Sequence, residues 1–263
     1  LNKEQLPAAC AGRNVLYPAT ATLASTDHIE EVVRAVPFPA MVKPAWPLGA
    51  FKAKVVHSRL ELERIVAEFQ RSLPFVVQQW IEGDVKSLRF GVVYLDRGRV
   101  VATFEGRKAY AGNDGLGQAT TMEPWPDADV REAAVEFVRE RPLSGPVAVE
   151  FKRGADGRLW MIEPNVGRTE YCVDVCIGNG FDLPWLEYCH VEGRELPQVR
   201  NENRRIWFDC DRDLFSWVRY LSRNPADPRA YRPLFPYAGH GDPGPLVARV
   251  FRRLIRRLAL RGR

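Results

Sequence analysis

The segment from Pro146 to Arg168, PVAVEFKRGADGRLWMIEPNVGR, constrains the fold more than any other stretch of the chain. Two β-rich runs flank Asp156-Gly157, the dipeptide favoured in a two-residue type I′ turn. Such a turn makes the segment an antiparallel hairpin in which Ala155 faces Arg158 and cross-strand partners have numbers that sum to 313. Glu150 then stands opposite Glu163, Asn165 follows on the same face, and Phe151 and Ile162 pair on the core-facing side. Carboxylates about 5 Å apart repel. A chain with this pairing either bridges them with a cation or leaves them on a wet face beside Lys152 or Arg158. Two carboxylates and an amide oxygen are the hard oxygen set that suits Mg²⁺ when phosphates complete its shell. On the hairpin alone, both readings stand.

Elsewhere strand-like and helix-like segments alternate without internal repeats, which predicts an α+β or mixed class. Residues 39–45 (PAMVKPA) and 53–57 (AKVVH) read as short strands. Ser58 and Glu61 form a capping box for a helix over 59–71. A strand over 75–80 (FVVQQW) and an IEGD turn come next, then a hairpin of KSLRFGVVYL and RVVATFE across Asp96-Arg97-Gly98. Residues 106–126, with four glycines and no apolar period, read as a mobile loop, with Arg107 and Lys108 at its base. A helix is predicted over about 128–140.

With 46% hydrophobic and 27% charged residues in 263, the chain can bury a core, which excludes disordered, collagen-like and disulfide-scaffold classes. The net charge of +5 is unevenly placed. Residues 198–263 hold 15 arginines against 6 acidic residues, a surplus of +9, and leave a mildly acidic body at −4. A nucleic-acid partner therefore concerns at most the tail. Cys10, Cys172, Cys176, Cys189 and Cys210 make no CxxC pair and no zinc spacing, so they read as free thiols of a reducing, cytoplasmic compartment. The four histidines, His28, His57, His190 and His240, have no acid or cysteine partner at catalytic spacing, and no GxSxG or Walker A pattern occurs. No run of 18 apolar residues is present. The chain opens on Leu1 and reads as a piece of something longer.

Two further segments carry chemistry. Lys43, in MVKPA, closes an apolar strand, where a lysine either snorkels or serves a ligand. VVQQWIEGD (76–84) joins a strand to an acidic turn. The backbone of Gln79 to Ile81 there can read a planar base, and Glu82 or Asp84 can accept from ribose hydroxyls. It is equally an ordinary strand exit.

Taken in order over residues 2–190, these segments resemble the ATP-grasp superfamily, most closely its carboxylate-amine ligase branch. The resemblance implies two α+β subdomains that grip ATP between antiparallel sheets, with residues 1–197 as the ATP-grasp domain, a small subdomain at about 36–79 and a large one at about 80–197. It implies that Lys3 and Lys43 hold phosphates, that Gln78, Gln79, Trp80, Ile81 and Asp84 hold adenine and ribose, and that Glu150, Glu163 and Asn165 hold Mg²⁺, or Mn²⁺ in its place. Arg168, in NVGR, is similar to the arginine that steadies the transferring phosphoryl group. The implied reaction converts a small-molecule carboxylate to an acyl phosphate for attack by an amine. The lid AWPLGAFKAK has one glycine where the family has a richer loop, with Lys52 and Lys54 as substitutes. Ala148 stands where many members have an arginine, NVGR sets its arginine one position late, and the family's N-terminal substrate domain is missing from the chain. A catalytically incomplete nucleotide-binding module is the alternative.

The Arg- and aromatic-rich segment 198–263 reads as an extension ending in an amphipathic helix, 245–261, whose residues 245–263 include seven arginines and no acid. That composition suits the surface of an anionic membrane, with the protein peripheral at its inner face, or a helix docked on the body. As a membrane adaptor the chain would act through this tail alone. Nucleic acid fits least, because an apolar stripe has no use on a phosphate backbone.

Overall fold

A computed structural model describes residues 5–46, 51, 53–111, 118–167, 173–236 and 242–261, with backbone only for residues 253, 254 and 256–261. The chain divides into two compact units, residues 1–82 with 152–164 and residues 83–151 with 165–263. This differs from the expected boundary at 197.

The first unit holds a four-stranded antiparallel sheet in the order β1-β4-β2-β3, built from β1 (Thr20–Leu23), β2 (Ala40–Pro44), β3 (Lys54–Val56) and β4 (Phe75–Gln79). With it go helices α1 (Leu6–Cys10), α2 (Ile29–Ala35) and α3 (Arg59–Glu68). Along β2, Ala40, Val42 and Pro44 are buried while Met41 and Lys43 are half-buried, the period of two that turns one sheet face to the core. Val42, Val77, Phe75 and Leu23 pack there with Leu62 and Val66 of α3. The capping box forms as expected at one end, with Glu61 N–H donating to Ser58 Oγ at 3.3 Å. The Glu61 carboxylate takes the N–H of His57 at 2.8 Å, one residue before the cap. The helix ends at Glu68, short of 71, and a 3-10 turn over Gln70–Ser72 follows.

Residues 152–164 correct the expected hairpin. Gly157 N–H donates to Gly154 O at 3.0 Å, Gly154 N–H donates to Arg158 O at 2.9 Å, and Gly157 has φ +78°. This is a three-residue turn, a type I bend closed by a left-handed glycine, and not the two-residue type I′ turn. Gly154, not Ala155, faces Arg158, so partner numbers at the turn sum to 312 and the expected register does not hold there. In keeping with that shift, Met161 is fully buried and Ile162 only half-buried. Met161 N–H bonds Leu16 O at 2.8 Å, and its sulfur lies 3.9 Å from Cys10 Sγ.

The second unit carries β5 (Leu88–Asp96), β6 (Arg99–Ala111), β7 (Ala119–Pro124), β8 (Gly145–Arg153), β9 (Leu159–Val166), β10 (Ile206–Phe208) and β11 (Pro233–Leu234). These strands form one sheet in the order β11-β10-β7-β6-β5-β8-β9, with residues of β8 and β9 assigned to both units. Helices α4 (Ala128–Val138), α5 (Val173–Ile177), α6 (Leu183–Val191), α7 (Ser216–Arg223) and α8 (Gly244–Arg261) complete it. The β5–β6 hairpin turns at Arg97 and Gly98, both with positive φ, as Asp96-Arg97-Gly98 predicts. Helix α4 packs so closely on β5 that a Cβ on Gly91 would come 2.9 Å from the Cβ of Ala134.

Two expectations fail in this unit. The glycine-rich stretch expected as a loop over 106–126 is largely strand: β6 runs to Ala111 and pairs with β7, as in Arg107 with Glu123. Residues 112–117, the glycine-rich middle of that expected loop, lie outside the described residues. The supposed extension is built into the sheet, since β10 pairs with β7 through Trp207–Met122 and Phe208–Thr121. Trp207, Phe208 and Tyr220 are buried.

Candidate functional site

In the first unit, Lys43 and Gln78 meet on the sheet face opposite the core. Lys43 Nζ donates to Gln78 Oε1 at 3.1 Å, and Gln78 Nε2 donates to Thr20 Oγ1 at 3.2 Å. Register explains the meeting: Thr20 pairs with Gln78 across β1–β4, and Lys43 with Val76 across β2–β4, two residues away. Gln78 is 4% exposed, so its amide is held in one orientation. Tyr17 joins this group. Burial pushes its hydroxyl up to about 12, a hydrogen bond with Gln78 pulls it down, and the nearby Cys10 and Glu163 raise it further. Glu163 is thus within electrostatic reach of the Lys43–Gln78 pair's neighbour, although it is itself exposed.

The end of β4 opens into a cavity of ≈ 300 Å³, walled by Phe38, Trp80, Ile81, Glu82, Arg158 and Trp160 among others. Gln79 N–H bonds Ala19 O at 2.8 Å and Trp80 N–H bonds Pro39 O at 2.9 Å, which fixes the strand exit. Lys152 Nζ lies 4.1 Å from the centre of the Trp80 ring, and Arg158 stacks on Trp160 at 5.0 Å while pairing with Asp156 at 2.6 Å. Aromatic faces with a few charged groups at the rim are the chemistry of a site for a planar, polar ligand. Lys54, expected to reinforce the lid, turns instead to Glu68 at 3.6 Å and to the Phe69 ring at 4.6 Å.

In the second unit, Glu150 is half-buried and accepts from Lys108 Nζ at 2.7 Å. Lys108 is itself 7% exposed. Lys108 lies on β6, outside the hairpin that carries Lys152 and Arg158, the partners weighed from sequence. Asn165 is half-buried. Asp84 is exposed, and its Oδ1 caps a 3-10 turn by accepting from Ser87 N–H at 3.1 Å. Glu163 belongs to the first unit and Glu150 and Asn165 to the second; by residue type, two carboxylates and an amide suit a hard divalent cation. No group of three or more His, Cys, Asp or Glu gathers at metal-binding distance among the described residues. The expected set has only two such ligands. Lys3 and Arg168 lie outside the described residues.

Two partnerships escaped sequence reasoning because most of their bonds join residues 94 to 106 positions apart. His190 Nε2 lies 3.2 Å from Asp96 Oδ1, and its Nδ1 lies 2.9 Å from the Tyr94 hydroxyl. This corrects the expectation that no histidine has an acid partner. Glu123, 1% exposed, accepts from Arg107 at 2.7 Å, from Arg229 at 2.8 Å and from the Tyr220 hydroxyl at 3.0 Å. Arg107 also lies over Trp125, 3.3 Å from the ring centre.

No family model matches the chain. In sequence it is similar to the carbamoyl phosphate synthase large chain of Gemmatimonas aurantiaca, 26% identical over 197 residues that cover 69% of this chain and 17% of that one. It is also similar to the D-alanine–D-alanine ligase of Alkalilimnicola ehrlichii, 25% identical over 192 residues, 68% of this chain and 60% of the ligase. The chain therefore spans less than two thirds of these relatives. Among solved structures, biotin carboxylase from Campylobacter jejuni superposes with a TM-score of 0.64 at 16% identity, covering 78% of this chain and 49% of that one. N5-carboxyaminoimidazole ribonucleotide synthetase superposes with a TM-score of 0.63 at 11% identity, covering 85% and 60%.

Proposed function

We infer that the chain is of the ATP-grasp superfamily, to which its sequence relatives and structural neighbours together point, and the fold is the ATP-grasp fold. We propose that the chain is the nucleotide-binding and phosphoryl-transfer part of an ATP- and Mg²⁺-dependent ligase, with Mn²⁺ as a substitute, which activates a small-molecule carboxylate as an acyl phosphate for attack by an amine. The observation that carries the reading is the Lys43–Gln78–Thr20 cluster on the face of the small sheet away from its core, on the strand whose end opens into an aromatic-walled cavity. The two neighbours named above were both solved with an adenine nucleotide bound, which supports the same ligand here.

In this reading Trp80 and Ile81 flank the base, and the backbone of Gln79 to Ile81 reads its edge. Glu82 and Asp84 accept from the ribose hydroxyls. Gln78 orients the Lys43 ammonium, and Lys43 and Lys3 take up phosphate charge. Arg168 steadies the transferring group. Glu150, Glu163 and Asn165 would hold Mg²⁺, which when bound neutralises charge on the phosphate oxygens.

The test is ADP release by the complete reading frame with Mg²⁺ and candidate acids and amines, with hydroxylamine to trap the acyl phosphate. Substrate-stimulated ADP is expected, together with a loss of roughly a hundredfold or more in Glu163→Gln. Wild-type turnover by that variant sinks the metal assignment. Nucleotide binding without any substrate-stimulated ADP leaves the chain a binding module.

A further inference from the structure

Helix α8 is attached in the reverse of the usual sense for an amphipathic helix. Arg249 Nη1 reaches Asp211 Oδ2 at 3.2 Å, so the helix is tied to its own unit through its polar side. Val247, Phe251 and Ile255, spaced four apart, are 61%, 63% and 52% exposed. At 100° per residue the middle of that stripe lies roughly 160° round the helix from Arg249. Val250 and Leu246, roughly 100° and 140° round the helix from Phe251, are half-buried. Docking an amphipathic helix on a protein body normally buries its apolar side, and here the part of that side made by Val247, Phe251 and Ile255 is turned to solvent. Phe215 and Val218, each 57% exposed, follow Asp211 in the chain.

The charges around the stripe select the partner. Residues 245–263 include Arg249, Arg252, Arg253, Arg256, Arg257, Arg261 and Arg263 and no acidic residue. A second copy of the helix would satisfy the stripe but would set two uncompensated arginine sets against each other. A nucleic acid would satisfy the arginines and leave the stripe in water. An anionic bilayer surface satisfies both, with headgroup phosphates for the arginines and acyl chains for Val247, Phe251 and Ile255. No helix among the described residues is long and apolar enough to cross a membrane. We infer that α8 lies in the plane of an anionic lipid surface, its Val247–Phe251–Ile255 stripe inserted and its arginines on the headgroups.

The experiment is co-sedimentation of the whole chain with vesicles of phosphatidylcholine, with and without about one third phosphatidylglycerol. Binding to the anionic vesicles alone, weakened by salt, is expected. Phe251→Ser with Ile255→Ser is expected to lower partitioning at least about tenfold, and each arginine among 252 and 256 changed to Gln about fivefold. Unchanged thermal unfolding checks the fold of each variant, and the wild-type comparison of the two vesicle types needs no variant. Absent or composition-independent binding overturns the inference. So does a lipid-free dimer that Phe251→Ser dissolves, which would make a second copy the occupant. So does duplex DNA binding tighter than vesicle binding and indifferent to Phe251→Ser.

Discussion

Glu105 shows what a single buried acid costs this protein. It is 5% exposed, and its Oε1 is buried without a hydrogen-bond partner among the described residues. Burial raises its pKa above the usual carboxylate value, and the pull of Arg131 and a bond with Thr103 do not offset it. The folded chain therefore holds this proton more tightly than the unfolded one. Its contribution to stability is full below the unfolded value of 4.5 and is lost as pH rises through the raised folded value. Glu105→Gln should gain about 1 kcal/mol at neutral pH and flatten the pH dependence above the acid range. Guanidinium unfolding of both proteins at about pH 5 and about pH 8 checks this; an equal loss in both would count against it. At this scale the sequence was partly legible. Lys43 stood out because a lysine interrupts an apolar strand, whereas Tyr17 and Thr20 carry no local signal, since only strand register brings them to Gln78.

Among elements, strand ends were read less well than strand centres. The Ala155-Asp156-Gly157 turn was missed by one residue because a left-handed glycine satisfies both a two-residue type I′ turn and a type I bend with a bulge. Local preference does not separate the two. The glycines of 106–126 suggested loop, but the ladder with β7 recruits residues 106–111, Gly106 among them, into strand. The element that most needed tertiary information is β10 with the chain that follows it. Arg229 clamps it by bonding Glu123 Oε2 at 2.8 Å, Asp227 Oδ2 at 2.9 Å, Asn203 Oδ1 at 2.8 Å and Pro124 O at 3.1 Å. Burial alone would raise Asp227, but its bonds to Arg229 and Tyr220 hold it below the usual carboxylate range. Its contribution is thus present above the unfolded value of 3.8 and lost as pH falls through the lower folded one. Arg229→Ala should cost about 3 kcal/mol by leaving two carboxylates short of a cation, and Arg229→Lys should recover little, because an ammonium lacks the planar fork. Urea unfolding midpoints at neutral pH decide it; a loss under about 0.5 kcal/mol would show the clamp to be superficial.

For the whole molecule, the segment after residue 197 was expected to be an appendage, and the sheet incorporates most of it. Truncation after residue 197 removes β10, β11 and the Tyr220–Asp227–Arg229 side of the Glu123 network. That truncation should abolish cooperative thermal unfolding, while truncation after residue 243, which removes α8, should leave the melting curve nearly unchanged. Calorimetry of the two truncated chains separates an integral segment from an appended one. The sequence by itself determined the α+β class, most strand centres, the helix-starting cap at Ser58 and the residue types of the candidate site, because periodicity, capping and turn chemistry act over a few neighbouring residues. Only the tertiary structure decided that Lys43 meets Gln78, that Lys108 takes Glu150, that Glu123 is shared by Arg107, Arg229 and Tyr220, and that α8 is tied by its arginine with its apolar stripe outward. Each of these is a pairing between residues far apart in the chain, set by strand order, register and the packing of elements, which short-range pattern does not encode.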